Sequence, residues 1–366
     1  MISGIPFLDL KKVNLAYEDD INKAVCKVIN SGWYLLGEEL ITLEQNITSF
    51  HDRGLTIGVS SGFDALVLML QSHEFPKGSE IIVPANTYIA TILAILNANL
   101  KPVLVEPLLS TYLINPELVE EKITKITKAI LAVDLYGKCS DLTTLKQIAD
   151  RHSLFLFSDS AQSFGALFDG MKPSEFYDAM AYSFYPTKNL GAMGDGGAIF
   201  CNERIIANKI KALRNYGSDK KYEFKYPGRN SRMDEIQAAV LNVKIKYFKT
   251  ELTYRQNIAN RYLTEISNSL IALPPSDSIY NDSWHLFVVR CKNRENFGSY
   301  LNNHGVAFDI HYPIPPHQQK ALKEFNDLVF PVTERIHKEI ISLPLNCTLS
   351  KYDINHIIEV VNSYSR

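Results

Sequence analysis

One lysine in a glycine-rich segment has surroundings that suit covalent chemistry. Lys188 follows the aromatic run SFYPT (183–187) and precedes NLGAMGDGG (189–197). Upstream, the apolar run FLFS (155–158) ends in Asp159. A lysine that loses its proton can form a Schiff base with an aldehyde, and a carboxylate at a strand end can hold a proton on a pyridine nitrogen. The pair therefore predicts pyridoxal phosphate (PLP) chemistry, with Lys188 as the nucleophile.

Each member of the pair also has an ordinary interpretation. A single lysine in a loop is usually a solvated charge, and an Asp after a strand often serves as a turn or helix-capping residue. The four glycines that follow Lys188, together with the matching Asp159, favour the catalytic interpretation.

Four further positions could hold the same cofactor. The turn SSGFD (60–64) lies between a predicted strand and a predicted helix, where backbone N–H groups and the helix dipole favour a phosphate. Gln162 could bond the phenolic oxygen of the ring, and Ser183 could reach the phosphate. Tyr88 could stack on the ring, although a helix cap at the turn and a core aromatic at Tyr88 are the alternatives.

The elements that must position these residues alternate along the chain. Short apolar strands at about 55–59, 81–84, 102–106, 129–133, 154–158, 177–183 and 197–201 are separated by helical patterns. This alternation predicts an α/β fold with a mostly parallel central sheet that is covered on both faces. A long helical pattern at 233–267 contains the expected boundary between a large domain (1–245) and a smaller α+β domain (246–366).

Composition excludes several classes of function. The chain has 366 residues, a formal net charge of -2 and 21% charged residues, which is typical of a soluble protein that binds neither nucleic acid nor membranes. Its N-terminus lacks a signal-peptide pattern. The five cysteines are scattered without C-x-x-C spacing, which indicates reduced thiols and no metal site. We therefore expect a cytoplasmic protein. A Rossmann-type dinucleotide enzyme would need G-x-G-x-x-G, but residues 60–64 contain one Gly.

The chain resembles the DegT/StrS-type sugar aminotransferases, which are fold type I PLP enzymes acting on nucleotide-linked keto-sugars. The resemblance covers nearly the whole chain, in motifs that follow one another in order. These are IPFLDL (5–10), SGFDAL (61–66), VPANTY (83–88), DLYG (134–137), SDSAQSFG (158–165), the Lys188 segment, GRNSRMDEIQAA (228–239) and HYP (311–313).

By position, the resemblance implies that Lys188 forms the internal aldimine and that Asp159 contacts the pyridine nitrogen. It places Gln162 on the ring hydroxyl and Tyr88 against the ring. The phosphate ligands that it implies are Ser61, Gly62 and Ser183.

The resemblance also implies an obligate homodimer with shared active sites. Asn230 would reach the phosphate of the neighbouring subunit's cofactor. The chain departs from the family at Phe63, where a Thr often contributes a hydroxyl to the phosphate, so more of that contact falls to Ser61 and to backbone donors. The candidate contacts to the sugar nucleotide are Trp33, Tyr34, Tyr185, Tyr216, Arg229, His311 and Tyr312. The basic stretch 220–229 could equally be a solvated loop.

Within the family, the segments around 214–218, 230–235 and 311–318 are most similar to enzymes that aminate C3 of dTDP-3-keto-6-deoxyhexoses. With L-glutamate as donor, the expected product is dTDP-3-amino-3,6-dideoxy-galactose or -glucose. The alternatives are C4 amination of a UDP- or dTDP-4-keto-6-deoxy sugar and a non-catalytic regulatory protein on the same scaffold. A related dehydratase would carry His in place of Lys188.

Overall fold

The computed structural model describes residues 4–275 and 281–365. The α-helices in that part of the chain are α1 (Leu10–Leu15), α2 (Glu18–Ser31), α3 (Glu38–His51), α4 (Gly62–Ser72), α5 (Ile89–Asn97), α6 (Pro116–Val119), α7 (Leu142–Arg151), α8 (Arg204–Leu213), α9 (Glu235–Glu265), α10 (Arg294–Asn303), α11 (Pro331–Glu339) and α12 (Lys351–Ser363). The strands are β1 (Leu55–Val59), β2 (Glu80–Pro84), β3 (Lys101–Val105), β4 (Thr127–Val133), β5 (Phe155–Asp159), β6 (Ala179–Ser183), β7 (Gly197–Cys201), β8 (Ser218–Lys220), β9 (Glu223–Phe224), β10 (Ile271–Ala272), β11 (Phe287–Cys291) and β12 (Ile340–Leu343).

A seven-stranded sheet forms the centre of the larger part of the chain. Its strand order is β1-β7-β6-β5-β4-β2-β3. The strands from β6 through β3 in that order are parallel to one another, whereas β7 is antiparallel to both β1 and β6. The predicted α/β class with a mostly parallel sheet is therefore confirmed.

Helices cover both faces of this sheet, which explains why its strands are continuous apolar runs. Along β4, Leu131 faces a core that includes α4, α5 and α8, whereas Ile130 faces a core that includes α3, α7 and the start of α9. Successive strand residues point to opposite faces, so a strand buried on both sides has no polar alternation.

A second core lies in the C-terminal part of the chain. The three-stranded antiparallel sheet β10-β11-β12 packs with α10, α12 and the later turns of α9. Helix α9 runs through the predicted boundary at residue 245, so it joins the two cores without a linker. Ile5 pairs with Val306, which attaches the N-terminal segment to the C-terminal core. The division into two domains stays a prediction.

Several boundaries differ from those that the pattern indicates. Strand β4 begins at Thr127 and strand β6 at Ala179, where the pattern indicates 129 and 177. Helix α4 begins at Gly62, because the Ser61 hydroxyl caps it by accepting a hydrogen bond from Asp64 N at 3.1 Å. In the first turn of α11, the backbone N–H groups of Val332 and Thr333 donate hydrogen bonds to the carboxylate of Glu106, which is distant in sequence.

Candidate active site

A cavity of about 510 Å³ lies where the parallel strands end. The carboxyl ends of such strands share one edge of the sheet, which is where open α/β folds bind ligands. Ten of the residues singled out in the sequence line this cavity. They are Ser61, Gly62, Tyr88, Asp159, Gln162, Ser183, Tyr185, Lys188, His311 and Tyr312.

The other five predicted residues do not line this cavity within one chain. Trp33, Tyr34 and Tyr216 are about half exposed or more, with exposed fractions of 64%, 52% and 49%. Arg229 donates from Nη1 to Asp64 Oδ1 at 3.0 Å, and Asn230 Oδ1 accepts from Arg232 Nε at 3.0 Å. Their predicted contacts with cofactor or substrate stay predictions.

Lys188 lies in the loop between β6 and β7. The loop is closed by hydrogen bonds from Phe184 N to Gly196 O and from Ala192 N to Phe184 O, each 2.8 Å long. Lys188 N itself bonds Tyr185 O at 2.8 Å. Burial lowers the pKa of the Lys188 ammonium to about 8, against the opposing effect of the Asp159 carboxylate. At this pKa roughly a tenth of the amine is unprotonated at pH 7 and able to attack an aldehyde, far more than for an ordinary lysine.

Asp159 is the last residue of β5 and is buried. Thr91 Oγ1 donates to its Oδ2 at 2.7 Å, and Ala161 N donates to its Oδ1 at 3.1 Å. Burial raises the pKa of this carboxyl, while those two hydrogen bonds and Lys188 act in the opposite direction. A protonated ring nitrogen would supply the positive charge that stabilises this buried carboxylate.

The turn before α4 forms an anion-binding corner. Ser61 caps the helix and Gly62 begins it, so free backbone N–H groups of the first turn point toward the cavity edge. Ser183, at the end of β6, lies against the turn. A Cβ on Gly62 would approach Ser183 Cβ to 2.6 Å, which shows how closely the two segments pack. The corner can hold a dianion with hydroxyl and backbone donors together.

Gly197, the first residue of β7, allows that corner to form. A Cβ at this position would lie 2.3 Å from Ser61 O, which belongs to the backbone of the turn. We predict that Gly197→Ala lowers the free energy of unfolding by about 1–3 kcal/mol, because either the strand or the turn must move. Gly196→Ala is the matched control, since its nearest contacts would be at 3.4 Å. Urea unfolding of both variants measures the difference, and equal midpoints would contradict the close-packing argument.

Two residues at the site were missed in the sequence. Thr91, which holds Asp159, lies on α5, and its type and position carry no signal without the fold. His285 lines the cavity, and burial together with the Lys188 charge lowers its pKa well below the usual value, so the imidazole is neutral. Its Nδ1 lies 3.2 Å from Asn189 Oδ1. A polar residue two positions before the apolar strand β11 was the available signal.

His311 was predicted and reaches the cavity from the C-terminal part of the chain. Its Nδ1 lies 2.9 Å from Ser342 Oγ on β12, and its Nε2 lies 3.7 Å from Asp309 Oδ2. Burial lowers its pKa, with Asp309 opposing and Lys188 reinforcing the effect. The cavity is thus closed on one side by the smaller core.

The described residues offer neither a metal site nor a membrane-spanning helix. Across residues 4–275 and 281–365, no three His, Cys, Asp or Glu side chains form a group that could hold a metal ion. In the same ranges, no helix has both the length and the apolar character that a membrane crossing requires.

Comparison with known proteins gives consistent matches. Residues 16–362 match the DegT/DnrJ/EryC1/StrS aminotransferase family. A dTDP-3-amino-3,6-dideoxy-alpha-D-galactopyranose transaminase from Aneurinibacillus thermoaerophilus is 46% identical over 98% of this chain and 99% of its own length.

Solved structures agree with this match. DesV of S. venezuelae, solved in complex with a ketimine intermediate, superposes with a TM-score of 0.94 at 37% identity, covering 98% of each chain. NtdA of Bacillus subtilis, solved with bound cofactor PMP, superposes with a TM-score of 0.93 at 30% identity, covering 99% of this chain and 85% of its own.

Proposed function

The chain belongs to the DegT/DnrJ/EryC1/StrS aminotransferase family, and from that premise we propose that it transfers the amino group of L-glutamate to C3 of a dTDP-3-keto-6-deoxyhexose. The products are 2-oxoglutarate and dTDP-3-amino-3,6-dideoxy-galactose or its gluco epimer. The name of the relative that is 46% identical supports the galacto product. The observation that carries the reaction type is the presence of Lys188 and Asp159 in one cavity.

The residues of the cavity fit PLP. The buried carboxylate of Asp159 suits a protonated ring nitrogen, the unprotonated amine of Lys188 suits the aldehyde, and the turn at Ser61 and Gly62 suits the phosphate. When bound, PLP supplies an electron sink through which an amino group is exchanged for a keto oxygen. Family membership and a PMP-bound structural neighbour support the same cofactor.

Each side chain then has a defined task. Lys188 Nζ takes a proton from a substrate carbon and returns it at another, which its lowered pKa makes possible near neutral pH. Asp159 would hold a proton on the ring nitrogen of bound PLP, and Gln162 would face its ring oxygen. Tyr88, with an exposed fraction of 51%, offers its face for stacking. His in place of Lys188 would suit dehydration, so Lys188 favours amination.

A homodimer with shared active sites is part of the proposal. The residues outside the cavity include exposed aromatic side chains and Asn230 on a segment next to α4, where a second chain could contact them. Light scattering should give twice the mass of one chain.

The free cysteines, five in number, support a cytoplasmic location as a further part of the proposal.

The substrate assignment is tested with purified protein, PLP and L-glutamate. The reactions contain dTDP-3-keto- or dTDP-4-keto-6-deoxyhexoses, with UDP-linked sugars in parallel. NMR of the product identifies the aminated carbon and the configuration at C4. We expect amination of the dTDP-3-keto sugar. Amination of the 4-keto sugar alone would contradict the C3 assignment and leave the aminotransferase intact, whereas no turnover with any sugar would favour the regulatory alternative.

The pKa of Lys188 predicts how apoprotein captures PLP. Because burial lowers that pKa from 10.5 to about 8, the reactive amine fraction rises roughly tenfold for each pH unit below 8 and levels off above it. The rate at which the visible absorbance band forms should follow this curve. Nα-acetyl-lysine with the same PLP is the control, since its rate should continue to rise toward pH 10. If the rate of band formation with the protein also rose up to pH 10, the pKa of Lys188 would be that of an ordinary exposed lysine.

A further inference from the structure

The Gln162 side chain is held at both ends of its amide. Tyr136 N donates to Gln162 Oε1 at 2.6 Å, and Gln162 Nε2 donates to the Tyr312 hydroxyl at 3.0 Å. Gln162 itself is 8% exposed. Tyr312, which is predicted to contact the substrate, therefore also contacts Gln162, which is predicted to contact the cofactor.

Chemistry alone sets the direction of this amide. A backbone N–H can only donate, so the amide atom facing Tyr136 N must be the carbonyl oxygen. The NH₂ group must then lie on the side of the cavity and of Tyr312. Of its two hydrogens one goes to Tyr312, which leaves the other for a group in the cavity. Toward bound PLP, Gln162 would therefore be a donor to the ring oxygen, and a donor favours the anionic form of that oxygen.

Tyr312 is in turn held in place by two neighbours. Its ring packs against the Tyr88 ring, with centroids 4.8 Å apart and planes at 34°. Its carbonyl oxygen accepts a hydrogen bond from His337 Nδ1 at 2.7 Å. His337 is buried on α11, and burial lowers its pKa to about 4, so it stays neutral and keeps the Nδ1 proton that this bond needs. The Tyr312 hydroxyl thus has little freedom to leave Gln162.

We propose that Tyr312 is a positioning residue, whose hydroxyl holds the Gln162 amide so that its second N–H points at the ring oxygen of the cofactor. The proposal rests on the proposed function, since it requires PLP in the cavity. It assigns to the C-terminal part of the chain a role in tuning the cofactor, in addition to closing the site.

The test is a pH titration of the visible absorbance band of PLP-loaded protein, without substrate. In Tyr312→Phe the amide loses one of its two anchors and donates less well, so we expect the apparent pKa of the band to rise by about 0.5 to 1. In Gln162→Glu a carboxylate replaces the donor, and the rise should be larger. The dissociation constant for PLP should increase roughly 3- to 10-fold in Tyr312→Phe.

Tyr254→Phe is the matched control, because it removes a hydroxyl that bonds Leu349 O at 2.7 Å away from the cavity. It should leave both the band pKa and PLP affinity unchanged. Urea unfolding of each apoprotein shows whether any variant is damaged. A Tyr312→Phe titration equal to the wild-type one, with Gln162→Glu shifted, would overturn the proposal. If wild-type protein forms no band with PLP, the proposed function fails instead.

Discussion

Lys188→Ala is expected to abolish turnover, lowering kcat at least about 10⁴-fold. The substitution removes the amine that binds the aldehyde and the group that moves the proton, and proton transfer alone contributes about 10² to 10⁴. No other lysine among the described residues lines the cavity. Steady-state assays with the keto-sugar and L-glutamate measure the loss, and absorbance spectra should lack the visible band that wild-type protein forms with PLP.

Lys188→Arg separates the chemistry from the charge. Arginine keeps a cation near Asp159 but stays protonated, so it can neither attack the aldehyde nor accept a proton. We expect Lys188→Arg to be as inactive as Lys188→Ala. Turnover at wild-type rates in either variant would show that another group performs the proton transfer, and the mechanism would be wrong.

Asp159→Asn should produce the second-largest effect, a fall in kcat of about 10³-fold. An amide cannot balance a protonated ring nitrogen, so the ring loses much of its capacity to accept electrons. The free energy of unfolding of the apoprotein should change by less than about 1 kcal/mol, because Ala161 N can still donate to the amide oxygen and the Thr91 hydroxyl can accept from the amide NH₂ group. Burial raises the pKa of the Asp159 carboxyl in the folded apoprotein. The free energy of unfolding of the apoprotein should therefore fall as the pH rises through that pKa and the carboxyl ionises. The variant should lack this dependence.

Asp178→Asn is the control for a partly buried carboxylate next to a strand of the same sheet but outside the cavity. Asp178 precedes β6, and its Oδ2 accepts a hydrogen bond from Leu156 N at 2.8 Å. We expect Asp178→Asn to cost about 1 kcal/mol of stability and to leave kcat unchanged. If the two variants lost activity equally, the effect of Asp159→Asn would be structural and not chemical.

Much of the fold could be predicted because the strands are buried on both faces. Short apolar runs are typical of strands buried on both faces of a sheet. The runs 55–59 and 197–201 correspond to β1 and β7, respectively. The place of Asp159 in a ligand site was predicted because it ends an apolar strand of a parallel sheet, and open α/β folds bind ligands at that edge.

What could not be predicted depends on partners that are distant in the chain. The start of α11 is stabilised by Glu106, and Asp159 is held by Thr91; neither pair has a local sequence signal. The direction of the Gln162 amide depends on Tyr136 and Tyr312, which flank it only in three dimensions. The residues expected from a second subunit, such as Asn230, are identified by resemblance and lie outside the cavity of their own chain.

The carboxylate of Glu235 links an early helix to a late one, which bears on how the chain folds during synthesis. Glu235 accepts hydrogen bonds from Gly37 N, Glu39 N and Leu40 N at 2.8, 2.8 and 3.2 Å, so it caps α3 from the start of α9. Strand β1 likewise pairs with β7, which is far away in the sequence. The N-terminal helices and the first strand therefore leave the ribosome long before their partners exist. Such long-range contacts slow folding and expose apolar surface meanwhile, so a chain truncated before residue 197 should aggregate.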